Sequence, residues 1–160
     1  PRPVHLNTWE GFYFDVHPGP VKELATAAAA VGVERFVLDD GWFHGRHHDR
    51  AALGDWWPDE SKFPNGLGEL IAHVDALGME FGIWFEPEMV NPDSELNRAH
   101  PDWALQLDGR PVLNGDGDPE FLHLERASRR RPTLVKWGPA WRIRTVRPEG
   151  ERTSTGSSSR

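Results

Sequence analysis

Two adjacent carboxylates, Asp39 and Asp40, follow the apolar run Phe36-Val37-Leu38 and precede Gly41-Trp42-Phe43. The run has the length of a buried strand, and the glycine turns the chain where the charge sits. In a parallel α/β sheet both faces are covered, so strands read as continuous hydrophobic runs. Ligands collect at the C-terminal ends of such strands. Asp39 and Asp40 are therefore candidates for a polar site at a sheet rim. A carboxylate accepts several hydroxyl hydrogen bonds, and charge-assisted bonds are about twice as strong as neutral ones. Trp9 and Trp84 fall at the ends of two other strand-like runs, where an indole can stack on a flat or sugar-like ligand. Trp56, in the long loop after Asp40, is a third candidate for lining a subsite.

Each assignment has a plainer counterpart. Asp39 and Asp40 also fit a helix cap and a loop charge, and Trp9 and Trp84 fit core packing. Trp56 can pack its loop onto the body of the protein as readily as line a subsite. His44, His47, His48 and Asp49 carry zinc-ligand chemistry, but their spacing is poor and no partner cluster exists, so no metal site is assigned. Glu86 and Glu88 alternate across a strand end, so at most one faces a rim.

The elements that would position these residues alternate. Val4 to Trp9 is β-like, Gly11 to Pro20 a loop, and Val21 to Val31 an Ala-rich helix stopped by Gly32. After the second strand and a long loop, His44 to Asn65, comes a helix with apolar Leu67, Leu70, Ile71, Val74 and Leu77, ended by Gly78. Trp56, Trp57 and Phe63 argue that the long loop is ordered. Met79 to Phe85 is a third strand, Pro92 to His100 a short helix capped at Asp93 or Ser94, and Trp103 to Leu107 a short strand turned at Asp108-Gly109. Strand–helix alternation predicts an α/β fold with a parallel sheet.

After about Val112 the pattern stops. Residues 114–118 read as a loop, Arg126 to Arg131 is a basic run, and Glu149 to Arg160 is a polar tail whose composition favours disorder. The net charge of −7 hides a split: residues 1–125 hold 8 basic and 23 acidic groups, the remainder 10 and 2. The expected division is an ordered unit over 1–112 and a basic, Ser/Arg-rich segment over 113–160. There is no cysteine and no apolar stretch near the roughly 18 residues of a membrane helix. The chain begins Pro1-Arg2-Pro3 without an initiator Met or a signal-like segment and reads as an excerpt, expected to be cytoplasmic.

Asn7-Thr8-Trp9-Glu10, LDDGWF at 38–43, GDW at 54–56, KFPNGL at 62–67, GIWFEPEMVNPDSEL at 82–96 and HPDW at 100–103 occur in order. Together they resemble the bacterial α-galactosidases of glycoside hydrolase family 36. The resemblance covers roughly residues 3–110. It implies the first three to four βα units of a (β/α)8 TIM barrel, no cofactor, and retaining hydrolysis of terminal α-galactosyl residues in raffinose-type oligosaccharides. It also implies homo-oligomeric full-length members and no nucleic-acid or membrane partner. The residues aligned with Asp39 and Asp40 bind galactose hydroxyls in that family, and those aligned with Trp9 and Trp84 wall the sugar.

The family's nucleophile lies in a Lys-Trp-Asp motif further along the barrel; here Val135-Lys136-Trp137 is followed by Gly138, which cannot serve. No catalytic residue is assigned in this chain, which is read as truncated or frameshifted after about residue 112 and inactive alone. The reading from another class is a non-catalytic protein that binds carbohydrate or a polyanion through its Trp faces and basic tail.

Overall fold

A computed structural model describes residues 2–113 and 120–124, together with the backbone of Leu134–Trp137 and Ala140–Ile143. Its centre is a three-stranded parallel sheet, β1 (His5–Asn7), β2 (Arg35–Leu38) and β3 (Glu80–Ile83), in the order β1-β2-β3. A one-turn helix α1 (Trp9–Phe12) and the long α2 (Pro18–Ala30) lie between β1 and β2, and α3 (Gly68–Ala76) lies between β2 and β3. The α/β class with parallel strands, predicted from the alternation, is what the chain forms.

Local chemistry explains the helix limits. Pro18 opens α2, where its fixed φ and missing N–H cost nothing. Gly32 (φ +87°) and Gly78 (φ +80°) follow α2 and α3 in the left-handed conformation that ends a helix. Val21, Ala25 and Ala28 from α2, Leu70 and Val74 from α3, and Phe36 and Leu38 from β2 are buried together. Each fully buried Val, Leu or Phe contributes about 1.5–3 kcal/mol relative to exposure.

Strand alternation gives the sheet two unlike faces. Leu6, Phe36, Leu38, Phe81 and Ile83 share the helix-facing side, as the register pairs Leu6 with Phe36 and Leu38 with Ile83. The opposite face carries His5, Asn7, Arg35, Val37, Glu80 and Gly82. Arg35 pairs there with Glu80, and Val37 is only half-buried. The continuous apolar run predicted burial on both sides. Among the described residues helices cover one side only, so Val37 has a neighbour in the sheet but no layer above it.

Beyond β3 the chain is more broken than its pattern suggests. A two-residue strand β4 (Met89–Val90) leads to α4 (Glu95–Ala99), whose N-cap is Ser94: its hydroxyl accepts the Asn97 N–H at 3.0 Å. Pro101–Trp103 forms a 3₁₀ turn, so the strand expected from Trp103 starts only at β5 (Gln106–Leu107). β5 and β6 (Arg110–Pro111) form a hairpin whose turn, Asp108-Gly109, has positive φ at both residues, the twist-matched hairpin turn. β7 (Leu122–His123) returns to pair antiparallel with β4; sequence pattern gave no sign of it. β8 (Leu134–Trp137) and β9 (Ala140–Ile143) pair antiparallel. The loop read at 114–118, the basic run Arg126–Arg131, Gly138 and the tail from Glu149 lie outside the described residues. Among the described residues no helix is long and apolar enough to cross a membrane.

The turn after β2 depends on Gly41. Its φ is +91°, and a Cβ there would sit 2.8 Å from Phe14 Cα and 3.0 Å from Phe14 O. Gly41→Ala is expected to cost about 3 kcal/mol, from left-handed strain plus overpacking against backbone. Gly78→Ala meets nothing within 4 Å and is expected to lose only about 1–2 kcal/mol. Urea midpoints of the two variants check this; equal losses would remove the special status of the Gly41 turn.

Candidate functional site

The rim acids are built from β1 and β2 together. Thr8, buried at the end of β1, donates its N–H to Val37 O (3.0 Å), and its Oγ1 accepts the Asp39 N–H (2.9 Å). Asn7 Oδ1 accepts the Trp9 N–H at 2.7 Å, and Asn7 Nδ2 donates to Asp39 Oδ2. On the other side the Trp84 N–H continues the β2–β3 ladder by donating to Leu38 O (2.9 Å). The Trp42 indole N–H then donates to Trp84 O at 3.1 Å. Period-2 alternation puts Asp39 on the side of Val37, and Trp84 on the side of Gly82, so both rise from the face that helices leave open.

The result is an open cleft of about 490 Å³ lined by Asn7, Trp9, Glu10, Asp39, Asp40 and Trp84. Four of the five residues singled out from sequence therefore share one rim. Trp56 does not line this cleft. Its ring packs on Phe43 (4.6 Å between centroids), Phe85 (5.2 Å) and Trp84 (6.0 Å), so it stands behind the Trp84 wall. Trp9 is held edge-on by Tyr13 (5.0 Å) and Phe14 (5.2 Å).

Behind Asp40 is an interaction that no sequence motif marks. Arg46, 3% exposed, forks onto the carboxylate: Nε lies 2.9 Å from Oδ1 and Nη2 lies 2.8 Å from Oδ2. Its Nη1 reaches the carbonyls of Asp49 and Ala51, both at 2.8 Å, and Asn91 Oδ1 at 3.1 Å. Asn91, fully buried, also accepts the Leu53 N–H and donates to Glu120 O. Lys62 is likewise buried and donates to the carbonyls of Phe14 (2.9 Å), Gly41 (2.8 Å) and Arg46 (2.9 Å). Burial holds its ammonium below the usual lysine value, against the pull of Asp59, Asp15 and Asp40. Lys62 and Asn91 lie in motifs visible in sequence; Arg46 sits unmarked in the His-rich loop.

Other motif residues serve the scaffold. Asp55 accepts the N–H groups of Glu95 and Leu96, both at 2.9 Å, at the start of α4. Burial nonetheless raises its pKa above the ordinary value. His100 stacks on Trp103 at 4.0 Å between centroids, closing the 3₁₀ turn. The His-rich loop is dispersed: His44 stacks on Trp57 and His47 Nε2 lies 3.6 Å from Asp59, while His48 Nδ1 accepts the Arg50 N–H. Among the described residues no group of three acids or histidines could hold a metal.

Of the two glutamates after β3, Glu86 is half-buried and Glu88 exposed. Burial first, then the charges of Glu88 and Asp40, raise the Glu86 pKa above 4.5, partly countered by Arg46 and His123. A carboxyl whose folded pKa exceeds its unfolded one holds its proton longer in the native state, so stability falls as pH rises through that window. Glu86→Gln is expected to flatten this fall: its urea midpoint should exceed the parent's at pH 7 and match it at pH 4. A variant no more stable at pH 7 would mean that water solvates Glu86 freely.

With this geometry in place the likeness to known proteins becomes specific. The Melibiase family model matches residues 1–126. An α-galactosidase of Escherichia coli is 66% identical over 108 residues, 68% of this chain and 15% of that protein. The crystal structure of the family 36 α-galactosidase AgaB from Geobacillus stearothermophilus superposes with a TM-score of 0.71 at 48% identity, covering 79% of this chain and 17% of that one. AgaA of the same organism, solved in complex with raffinose, gives 0.71 at 46% identity over the same shares. The chain thus spans about one-sixth of the length of the relatives it matches. The ordered motifs, the rim they build and the match over 1–126 place this chain in the Melibiase family.

Proposed function

We propose that this chain carries the galactose-recognising rim of a retaining α-galactosidase, on the first three βα units of a (β/α)8 barrel. The observation that carries the reading is the convergence of Asp39, Asp40, Trp9 and Trp84 on one cleft at the C-terminal strand ends, the position at which barrels of this kind place ligands. The open face of the sheet, with Val37 and Gly82 side by side, suits the interior of a barrel whose remaining strands would cover it. In this reading the barrel segment reaches past residue 113, since β7 pairs with β4 and Glu120 O accepts from Asn91.

The two acids act in recognition rather than bond cleavage. Retention requires a nucleophile and an acid/base about 5–5.5 Å apart across the glycosidic bond. Asp40 is committed to Arg46, and Asp39 accepts from Asn7 and from the Asp40 N–H at 2.8 Å. Neighbouring carboxylates that grip neighbouring hydroxyls reject an epimer steeply, because a misplaced hydroxyl leaves a buried acceptor unpaired. The indoles supply the complementary apolar surface. The substrate class is an α-galactoside, and the relative AgaA, solved with raffinose, supports that choice. The cleaving pair is contributed by barrel strands beyond these, and no cofactor is needed.

The test uses the 160-residue chain. Galactose is expected to raise its melting temperature and glucose, the C4 epimer, to leave it unchanged. Asp39→Ala should weaken galactose binding at least tenfold, as loss of a hydrogen bond to a charged group costs about 1.5–3 kcal/mol. A nitrophenyl α-galactoside should release no nitrophenol. Equal shifts with both sugars would overturn the recognition claim, and turnover would overturn the division of labour. A shift with duplex DNA that salt abolishes would favour the polyanion-binding reading.

A further inference from the structure

We infer that Arg46 is a positioning residue for sugar recognition: it presets the Asp40 carboxylate so that one acceptor direction is left for a ligand hydroxyl. The inference rests on the galactose reading of the cleft and goes beyond it.

Arg46 is not among the residues lining the cleft, so it reaches a ligand only through Asp40. A carboxylate has about four acceptor directions. Asp40 Oδ1 uses both of its own, on the Gly41 N–H (2.6 Å) and Arg46 Nε (2.9 Å). Oδ2 takes Arg46 Nη2 at 2.8 Å, with Nε as a longer second branch at 3.2 Å. One good direction remains, on Oδ2. Asp39 differs: each of its oxygens has a single partner, the Asp40 N–H on Oδ1 and Asn7 on Oδ2, leaving one direction on each.

The guanidinium cannot rotate away from this task. Its Cζ packs against the rings of Phe14 (5.3 Å to the centroid) and Phe43 (5.5 Å), and Nη1 is anchored on three acceptors. Lys62 in turn fixes the carbonyls of Gly41 and Arg46, the two ends of the turn that carries the fork. Lysine lacks the planar fork and the stacking face, so Arg46→Lys is not conservative here.

The experiment measures galactose affinity of the chain and of Asp40→Asn, Arg46→Lys, Arg46→Met and the double variant Asp40→Asn/Arg46→Met. In parallel, the Arg46 Nε–H resonance is followed in ¹⁵N spectra of the parent and Asp40→Asn without sugar. Each single variant is expected to lose about tenfold or more in affinity, with the double variant within about twofold of Asp40→Asn, because both act through one carboxylate. The Nε–H should exchange slowly in the parent and lose protection in Asp40→Asn. Arg46→Lys with parental affinity, or losses that multiply in the double variant, would overturn the inference. If the parent binds no galactose, the recognition reading falls by itself. Arg46 is then judged on its Nε–H: protection that depends on Asp40 supports the presetting, and rapid exchange unaffected by Asp40→Asn overturns it. That measurement needs no Arg46 variant to fold.

Discussion

Two buried cations govern the turn that leaves β2. Arg46 neutralises Asp40, and Lys62 gathers three carbonyls that would otherwise face a dry interior. Taking an ion out of water costs several kcal/mol, and only close, well-aligned partners offset it. The long loop between β2 and α3 is held by these polar contacts together with Trp42, Phe43, Leu53 and Phe63, which are buried around them. Removing either cation leaves uncompensated charge or unpaired carbonyls, so the fold and the rim stand on the same contacts.

Acidic residues in this chain divide according to what surrounds them. Asp55 is spent on the first N–H groups of α4, and Asp59 binds the Ser61 N–H and hydroxyl and the Gly45 N–H. Asp39 and Asp40 instead stand in a cleft with acceptor capacity left over. Composition cannot make this distinction; partner geometry can. The same holds for tryptophan: Trp9 and Trp84 face the cleft, whereas Trp42 is 1% exposed and Trp56 backs the wall.

Much of this was legible in the sequence because it depends on local rules. Apolar periodicity and Gly32 and Gly78 marked α2 and α3, and a strand ending in acids marked the rim. Asp39, Asp40, Trp9 and Trp84 could be grouped because parallel strands all deliver their ends to one edge. What stayed hidden depends on contacts between distant segments. Arg46 has no motif around it, and its importance comes from Asp40, Ala51 and Asn91 converging on it. β4 and β7 are two residues each, too short for any period, and exist because Val90 and Leu122 pair across the chain. Trp56 fits a subsite and loop packing almost equally in sequence, because a loop indole has no pattern to say which side it packs on. One-sided burial of the sheet has a related cause: an apolar run reports affinity for the core, not how many layers are present.

The tie between Thr8 and Asp39 has a consequence for how the molecule takes shape. The two residues are 31 positions apart, and β2 meets β3 through Arg35 and Glu80, 45 apart. Pairings at such separations must overcome loop-closure entropy before any contact rewards them, whereas helices form locally and fast. Forming the sheet, and with it the cleft, therefore carries a loop-closure cost that the helices do not. A ligand that needs all three strand ends in register binds only the finished state, so occupancy and completion of folding become a single coupled equilibrium.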